Sequence, residues 1–359
     1  MKKFIAVCIC ILTFLHPLLS QPDTKYQSLE YAKNGMKLFD QSKYKEAIEQ
    51  YMKGKELDKD NTLFDYEIAL SHFMLKDYQA CIITIDSVIG NPNINEQFYQ
   101  LLGNAYDMMQ KPDTALQIYA EGMKRFPKAA SLYTESGVVE LNRNHTESAV
   151  NFWVKGTIIN PTHAENYYQL ARFYADSLNR IPALVYAEIF INLERNTAKT
   201  AEMGKLLCAL LYKSIRIKQD SVIALNFYPD ITIYGKNDSI KNVCDAVKDV
   251  LRKVSGMKIK NNRTLVGSSE IVKVRSKFLE VWFAEKYNER FKFSLFENQQ
   301  LINKQGFFEA YTQWLINKCN VADFQKWASE NSGTYASFAE WFKKHPYIFY
   351  GANDADLCR

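Results

Sequence analysis

The sequence is poor in reactive machinery. Among its 359 residues there are 14 glycines and 5 histidines. No phosphate-cradling loop, dinucleotide fingerprint, HExxH or GxSxG occurs. His72, His145, His163 and His345 stand far apart, and none pairs with another His or a Cys at metal-ligand spacing. Carboxylate pairs such as Glu285 and Glu289 are ordinary helix spacing. These gaps argue against catalysis and imply no cofactor and no metal. Also missing is a basic run. The net charge is +5, and Lys and Arg are scattered among Asp and Glu, which reads as a solvated surface rather than a nucleic-acid face. Apolar residues make up 47% and charged residues 24%, so the chain is globular, and its length suggests two domains.

A second long apolar run is absent too. The one apolar stretch, Phe4 to Leu15, follows Lys2 and Lys3 and ends near Pro17, Ser20 and Gln21. A basic start, a short apolar core and a small residue at a polar boundary make a secretory signal peptide over 1–20, with a linker over 21–27. A membrane anchor is the competing reading, but the run is short for a span. Val7 before Cys8 and Ile9 before Cys10 argue against a lipoprotein. The mature chain then has no transmembrane span. Cys81, Cys208, Cys244, Cys319 and Cys358 remain, odd in number and without a CxxC pair. Cys81 and Cys208 lie in apolar helical patterns and are expected to be buried free thiols. One bridge among the other three is compatible with an oxidising compartment.

What is present is periodicity. Ala47, Cys81, Ala115, Ala149 and Ala183 recur at steps of 34 residues without a slip. The third period carries Tyr99, Leu102, Gly103 and Tyr106, then Ala115, Tyr119, Gly122 and Pro127. The fourth carries Tyr133, Gly137, Ala149, Trp153, Gly156 and Pro161. The first carries Tyr31, Gly35, Leu38, Ala47, Tyr51 and Gly54. This resembles the tetratricopeptide repeat (TPR) family over residues 28–197, in five repeats (28–61, 62–95, 96–129, 130–163 and 164–197). The small residues mark close helix crossings, and the prolines end second helices. Lys59, Asn93 and Arg195 replace Pro, and Ala187 replaces an aromatic, so the fifth repeat is the weakest match.

The resemblance implies an all-α fold, a helical-hairpin solenoid coiled as a right-handed superhelix, with a concave groove lined by first helices. The second, fifth, sixth and ninth positions of each repeat should face that groove. They give Leu29, Ala32, Lys33 and Met36; Leu63, Tyr66, Glu67 and Leu70; Gln97, Gln100, Leu101 and Asn104; Ser131, Thr134, Glu135 and Val138; Glu165, Tyr168, Gln169 and Arg172. The expected partner-binding residues are Leu63, Tyr66, Leu70, Gln97, Gln100, Leu101, Asn104, Thr134, Val138, Tyr168 and Arg172. Only Asn104 matches the carboxylate clamp that some TPR domains use on chaperone tails, so that mode is excluded. An apolar and neutral polar groove suits an amphipathic helix or an extended segment. The protein's own C-terminal half is an equal contender for it.

From Thr200 the repeat pattern fades. Met203, Leu206, Leu207, Leu210 and Leu211 predict a capping or connecting helix over 198–220. Residues 221–359 form a mostly helical C-terminal domain of unknown function. Within it 221–234 alternates like an extended excursion, 239–254 is helical, and Asn261, Asn262 and Gly267 mark a loop. Residues 270–350 hold 20 aromatics, spaced for about four short helices around an aromatic core. Ser294 with Glu297 reads as a capping box, and Asn320 with Asp323 as an acidic variant. The expected function is a non-catalytic protein–protein interaction scaffold, exported to the periplasm or bacterial cell envelope, where an outer-membrane complex would be one setting. Its partner is a protein or peptide, not nucleic acid. The alternative is an enzyme of unknown class, sited in the C-terminal domain, whose repeats recruit substrate.

Overall fold

A computed structural model describes residues 24–177, 180–218, 222–227, 240–259, 266–350 and 357. The signal-peptide expectation and part of the 221–234 excursion lie outside the described residues. The chain divides into two compact units, one ending at Met109 and one beginning at Gln110.

The first unit contains α1 (Thr24–Asp40), α2 (Tyr44–Leu57), α3 (Thr62–Met74), α4 (Tyr78–Asp86) and α5 (Glu96–Met108). Its core joins Ala32, Ala47, Tyr51, Phe64 and Ile68. Tyr51 lies against Gly35, where an added Cβ would come within 3.0 Å of the ring. The small residue therefore lets the aromatic fill the gap between a repeat's two helices.

The second unit opens with α6 (Pro112–Arg125), α7 (Ala130–Asn142), α8 (Thr146–Ile159), α9 (Ala164–Ala175), α10 (Arg180–Leu193) and α11 (Ala198–Ser214). Trp153 on α8 packs on Gly137 of α7 in the way Tyr51 packs on Gly35. A two-stranded antiparallel ribbon follows, β1 (Ile215–Lys218) with β2 (Val222–Leu225), in the register Ile215 to Leu225. Then come α12 (Val243–Val254), α13 (Ser268–Ala284), α14 (Tyr287–Arg290), α15 (Ser294–Lys304), α16 (Phe308–Leu315), α17 (Val321–Glu330) and α18 (Ser332–Lys344).

The 34-residue step is visible in the helix starts. Second helices begin at Tyr44, Tyr78, Pro112, Thr146 and Arg180, and first helices at Thr62, Glu96, Ala130, Ala164 and Ala198. The same step appears in the turns, where Ser42, Lys76, Gln110 and Asn144 all take left-handed φ near 60°. In three of these turns the next residue donates back across the helix end, Lys43 to Leu38, Asp77 to His72 and His145 to Glu140, each at 2.9 Å. This is a Schellman closure, and it satisfies carbonyls that a helix end leaves open.

The helix expected over 198–220 continues the stack, and two other expectations are corrected. α11 begins one step after α9, and the Glu165–Lys199 and Tyr168–Glu202 contacts each span one repeat. The pattern faded because α11 is packed by other partners, which relaxes the residue identities. Cys208 is not a free thiol but is bonded to Cys319, with Cα atoms 5.4 Å apart, and Cys244 is also in a disulfide. The two half-cystines lie 111 residues apart, beyond any local pattern. Cys81 is free and buried. Ser294 is not a cap. Phe293 holds the cap position, and the Ser294 hydroxyl accepts instead from the Tyr350 N–H at 2.6 Å. Asn320 does cap α17, accepting from the Asp323 N–H.

The aromatic region forms six helices rather than four, because Lys286 and Gly306 take left-handed φ and break the run further. Its core includes Trp282 and Phe296, with ring centroids 4.5 Å apart, and Trp314 and Phe342 at 4.9 Å. One continuous buried core runs from Ala149 on α8 to Phe342 on α18 and includes Leu357. No helix among the described residues is long and apolar enough to cross a membrane.

Candidate functional site

The first-helix face of the first unit is the most apolar exposed surface at register positions. Leu29, Met36 and Leu63 are 52%, 54% and 42% exposed. Tyr66 and Leu70 are half-buried beside them, and the Tyr66 ring leans on Phe98 of α5 with centroids 5.3 Å apart. Burial, then the nearby Glu67 carboxyl, pushes the Tyr66 hydroxyl up, so it stays a neutral donor. Burial likewise raises the Glu67 carboxyl. Farther along, Gln97 is exposed, Gln100 and Asn104 are half-buried, and Leu101 is buried in the helix packing.

In the second unit the register positions are already engaged. The buried Thr134 hydroxyl lies 3.0 Å from Asn166 Oδ1 and 3.2 Å from His163 Nε2. Val138 is half-buried against the core. The buried Tyr168 donates its hydroxyl to Glu202 of α11 at 2.8 Å and packs on Phe190. The Lys199 ammonium sits 4.9 Å from the Tyr168 ring centre. Arg172 is exposed and reaches over the same ring. The structure thus joins Tyr168 and Arg172 around one aromatic face, while Thr134 serves helix packing. His163 carries a lowered pKa because burial disfavours its cation.

Within the second unit α12 and α15 pack on α10, and α13 reaches it through Arg275. α10 buries eleven of its fourteen residues, from Ile181 to Asn192. Among them is Glu188, which the repeat pattern does not single out. Its carboxylate accepts two bonds from Arg275 of α13, at 2.7 and 2.8 Å. It also accepts from Gln299 at 2.7 Å and from the Tyr311 hydroxyl at 2.8 Å, and Asn192 donates to that hydroxyl. Burial and the adjacent carboxylate hold the Tyr311 hydroxyl well above its usual value. A bidentate pair reinforced by two further donors is how a buried charge becomes tolerable. A cavity of about 90 Å³ lies beside this cluster, walled by Leu184, Val247, Phe278 and Phe296. Among the described residues no group of three His, Cys, Asp or Glu side chains could hold a metal ion.

Solved structures similar to this chain include TPR proteins. One is a thermophilic TPR protein of Thermus thermophilus, 15% identical, covering 50% of this chain and 98% of that one, with a TM-score of 0.43. Another is PilF of Pseudomonas aeruginosa, 14% identical, covering 52% and 85%, with a TM-score of 0.42. A third is YrrB, described as a TPR protein with an unusual peptide-binding site, 18% identical, covering 50% and 93%, with a TM-score of 0.33. The first eleven helices of this chain form an array of helical hairpins with a 34-residue step. No family model matches it, and no curated protein does.

Proposed function

We propose that the chain is a non-catalytic interaction scaffold of the bacterial cell envelope that holds an amphipathic segment of a partner protein against its first-helix face. The observation that carries this reading is the apolar exposure of Leu29, Met36 and Leu63 at the register positions where the hairpin architecture presents a binding face. Tyr66 and Leu70 supply half-buried apolar flanks, and Gln97, Gln100 and Asn104 supply donors and acceptors alongside. In the second unit Tyr168 and Arg172 offer an aromatic and a cation. Export is supported by the Cys208–Cys319 bond and the bonded Cys244, since such bonds persist in oxidising compartments. The non-catalytic reading is supported by the Glu188 cluster, whose carboxylate is held by Arg275, Gln299 and Tyr311.

The test is photo-crosslinking in the native organism from position 36 or 63, with position 53 on the outer side of α2 as control. A discrete adduct from 36 and 63 alone, in the envelope fraction, is expected. Equal labelling from all three positions, or a cytosolic protein, would sink the proposal.

A further inference from the structure

A second cleft, of about 270 Å³, opens where the α10–α11 turn meets the C-terminal end of α16. Its floor is one face of α11. Ala201 and Gly204 lie three residues apart on it; the methyl of Ala201 keeps the floor low, and the Lys318 stem packs over Gly204. The facing wall carries Trp314 and Lys318, and Arg195 lines the cleft as well.

Two features point to an occupant. First, the lining contains two cations and no carboxylate. Arg195 is half-buried, its guanidinium stacked 3.7 Å from the Phe342 ring centre. It donates to the backbone oxygens of Asn192, Phe342 and His345. Those three bonds use three of its five N–H groups and leave one on each terminal nitrogen. Among the described residues neither Arg195 nor Lys318 has an acidic partner. Burial draws the Arg195 pKa down, as expected of a cation whose lost hydration no anion offsets. Second, the site is prebuilt. The Cys208–Cys319 bond joins α11, one turn beyond Gly204, to the residue after Lys318, so floor and wall are held covalently.

We propose that this cleft binds a small carboxylate-bearing molecule with a flat apolar body. The carboxylate answers Arg195 and Lys318, and the body lies against Trp314 above Ala201. The volume falls just under the range of drug-sized sites, about 300–1,000 Å³, which suits a ligand of one ring. A planar carboxylate also matches the paired terminal N–H groups of a guanidinium better than a single-point anion does.

The test uses the full chain with its disulfides intact, titrated with benzoate and, separately, with inorganic phosphate. The readout is the Trp314 indole N–H signal, assigned through Trp314→Phe. Benzoate should produce a saturable shift. Lys318→Glu, at an exposed position, should weaken it roughly tenfold or more by removing a charge-assisted contact. Ala201→Leu should block it by filling the floor, and Lys326→Glu should leave it unchanged. Three results would overturn the proposal: no saturable response to benzoate, a response that Lys318→Glu leaves intact, or phosphate binding as tightly as benzoate.

Discussion

Met52 and Glu188 occupy the same position of the 34-residue register, on α2 and α10, and their fates are inverted. The apolar Met52 is 53% exposed, while the charged Glu188 is 3% exposed. α2 buries only Ala47, Tyr51 and Gly54, the residues facing the rest of its own hairpin stack. α10 is covered on its outer side as well, because α12 and α15 pack there and α13 sends Arg275 to Glu188. A repeat register therefore dictates which residues face inward between hairpins. It does not dictate what happens on the outer face. Where a domain docks, that face becomes core, and a carboxylate there survives only with a matched guanidinium.

This contrast can be broken from several sides. Removing the covalent tie between α11 and α16 should have the largest effect. Cys208→Ser with Cys319→Ser should lower stability by about 4–5 kcal/mol, since the bond closes a loop of over a hundred residues; guanidinium titration of the two forms reads it. Glu188→Ala should cost about 3–5 kcal/mol by stranding Arg275, while the double change Glu188→Leu with Arg275→Met should recover most of that loss. Met52→Ala at the equivalent position should stay within about 0.5 kcal/mol. Equal losses at the two positions would dissolve the comparison. Lys76→Gly, at a left-handed turn residue, should stabilise by about 1 kcal/mol by removing the Cβ penalty. A melting point that falls instead would place a needed contact on the Lys76 side chain.

The smallest effect concerns pH. His163 titrates below its ordinary 6.5 in the folded chain because burial disfavours the cation. The unfolded state then binds more protons between the two values, so stability rises with pH across that window. The contribution is complete above about 6.5 and is lost on acidification through the lowered folded value. In His163→Gln that part of the slope should vanish, which urea midpoints across the range would measure.

Much of this was legible beforehand. Ala47, Ala115 and Ala149 announced the hairpins, because a close helix crossing admits only small residues and the crossing recurs with the chain's own period. Ala187 in place of an aromatic was a true sign that the fifth repeat is different. In the structure its neighbour Tyr186 packs with Tyr167 and Tyr174, and the outer face of the helix meets α12, α15 and Arg275 of α13. The left-handed turn residues were harder to see, since Ser42, Lys76 and Gln110 are not glycines. The candidate first-helix residues could be listed from the register alone. That Leu63 is open while Leu101, Thr134 and Tyr168 are buried could not.

By itself, then, the sequence determined the repeat length, the hairpin packing and the identity of the residues on each first helix, since all of these follow from local spacing and side-chain size. Only the tertiary structure decided that Glu188 meets Arg275, that Cys208 meets Cys319, and that Arg195 and Lys318 share a cleft without a carboxylate. Those pairings span about a hundred residues of chain. They depend on how separate helices come together in space, and no periodicity along the sequence records that.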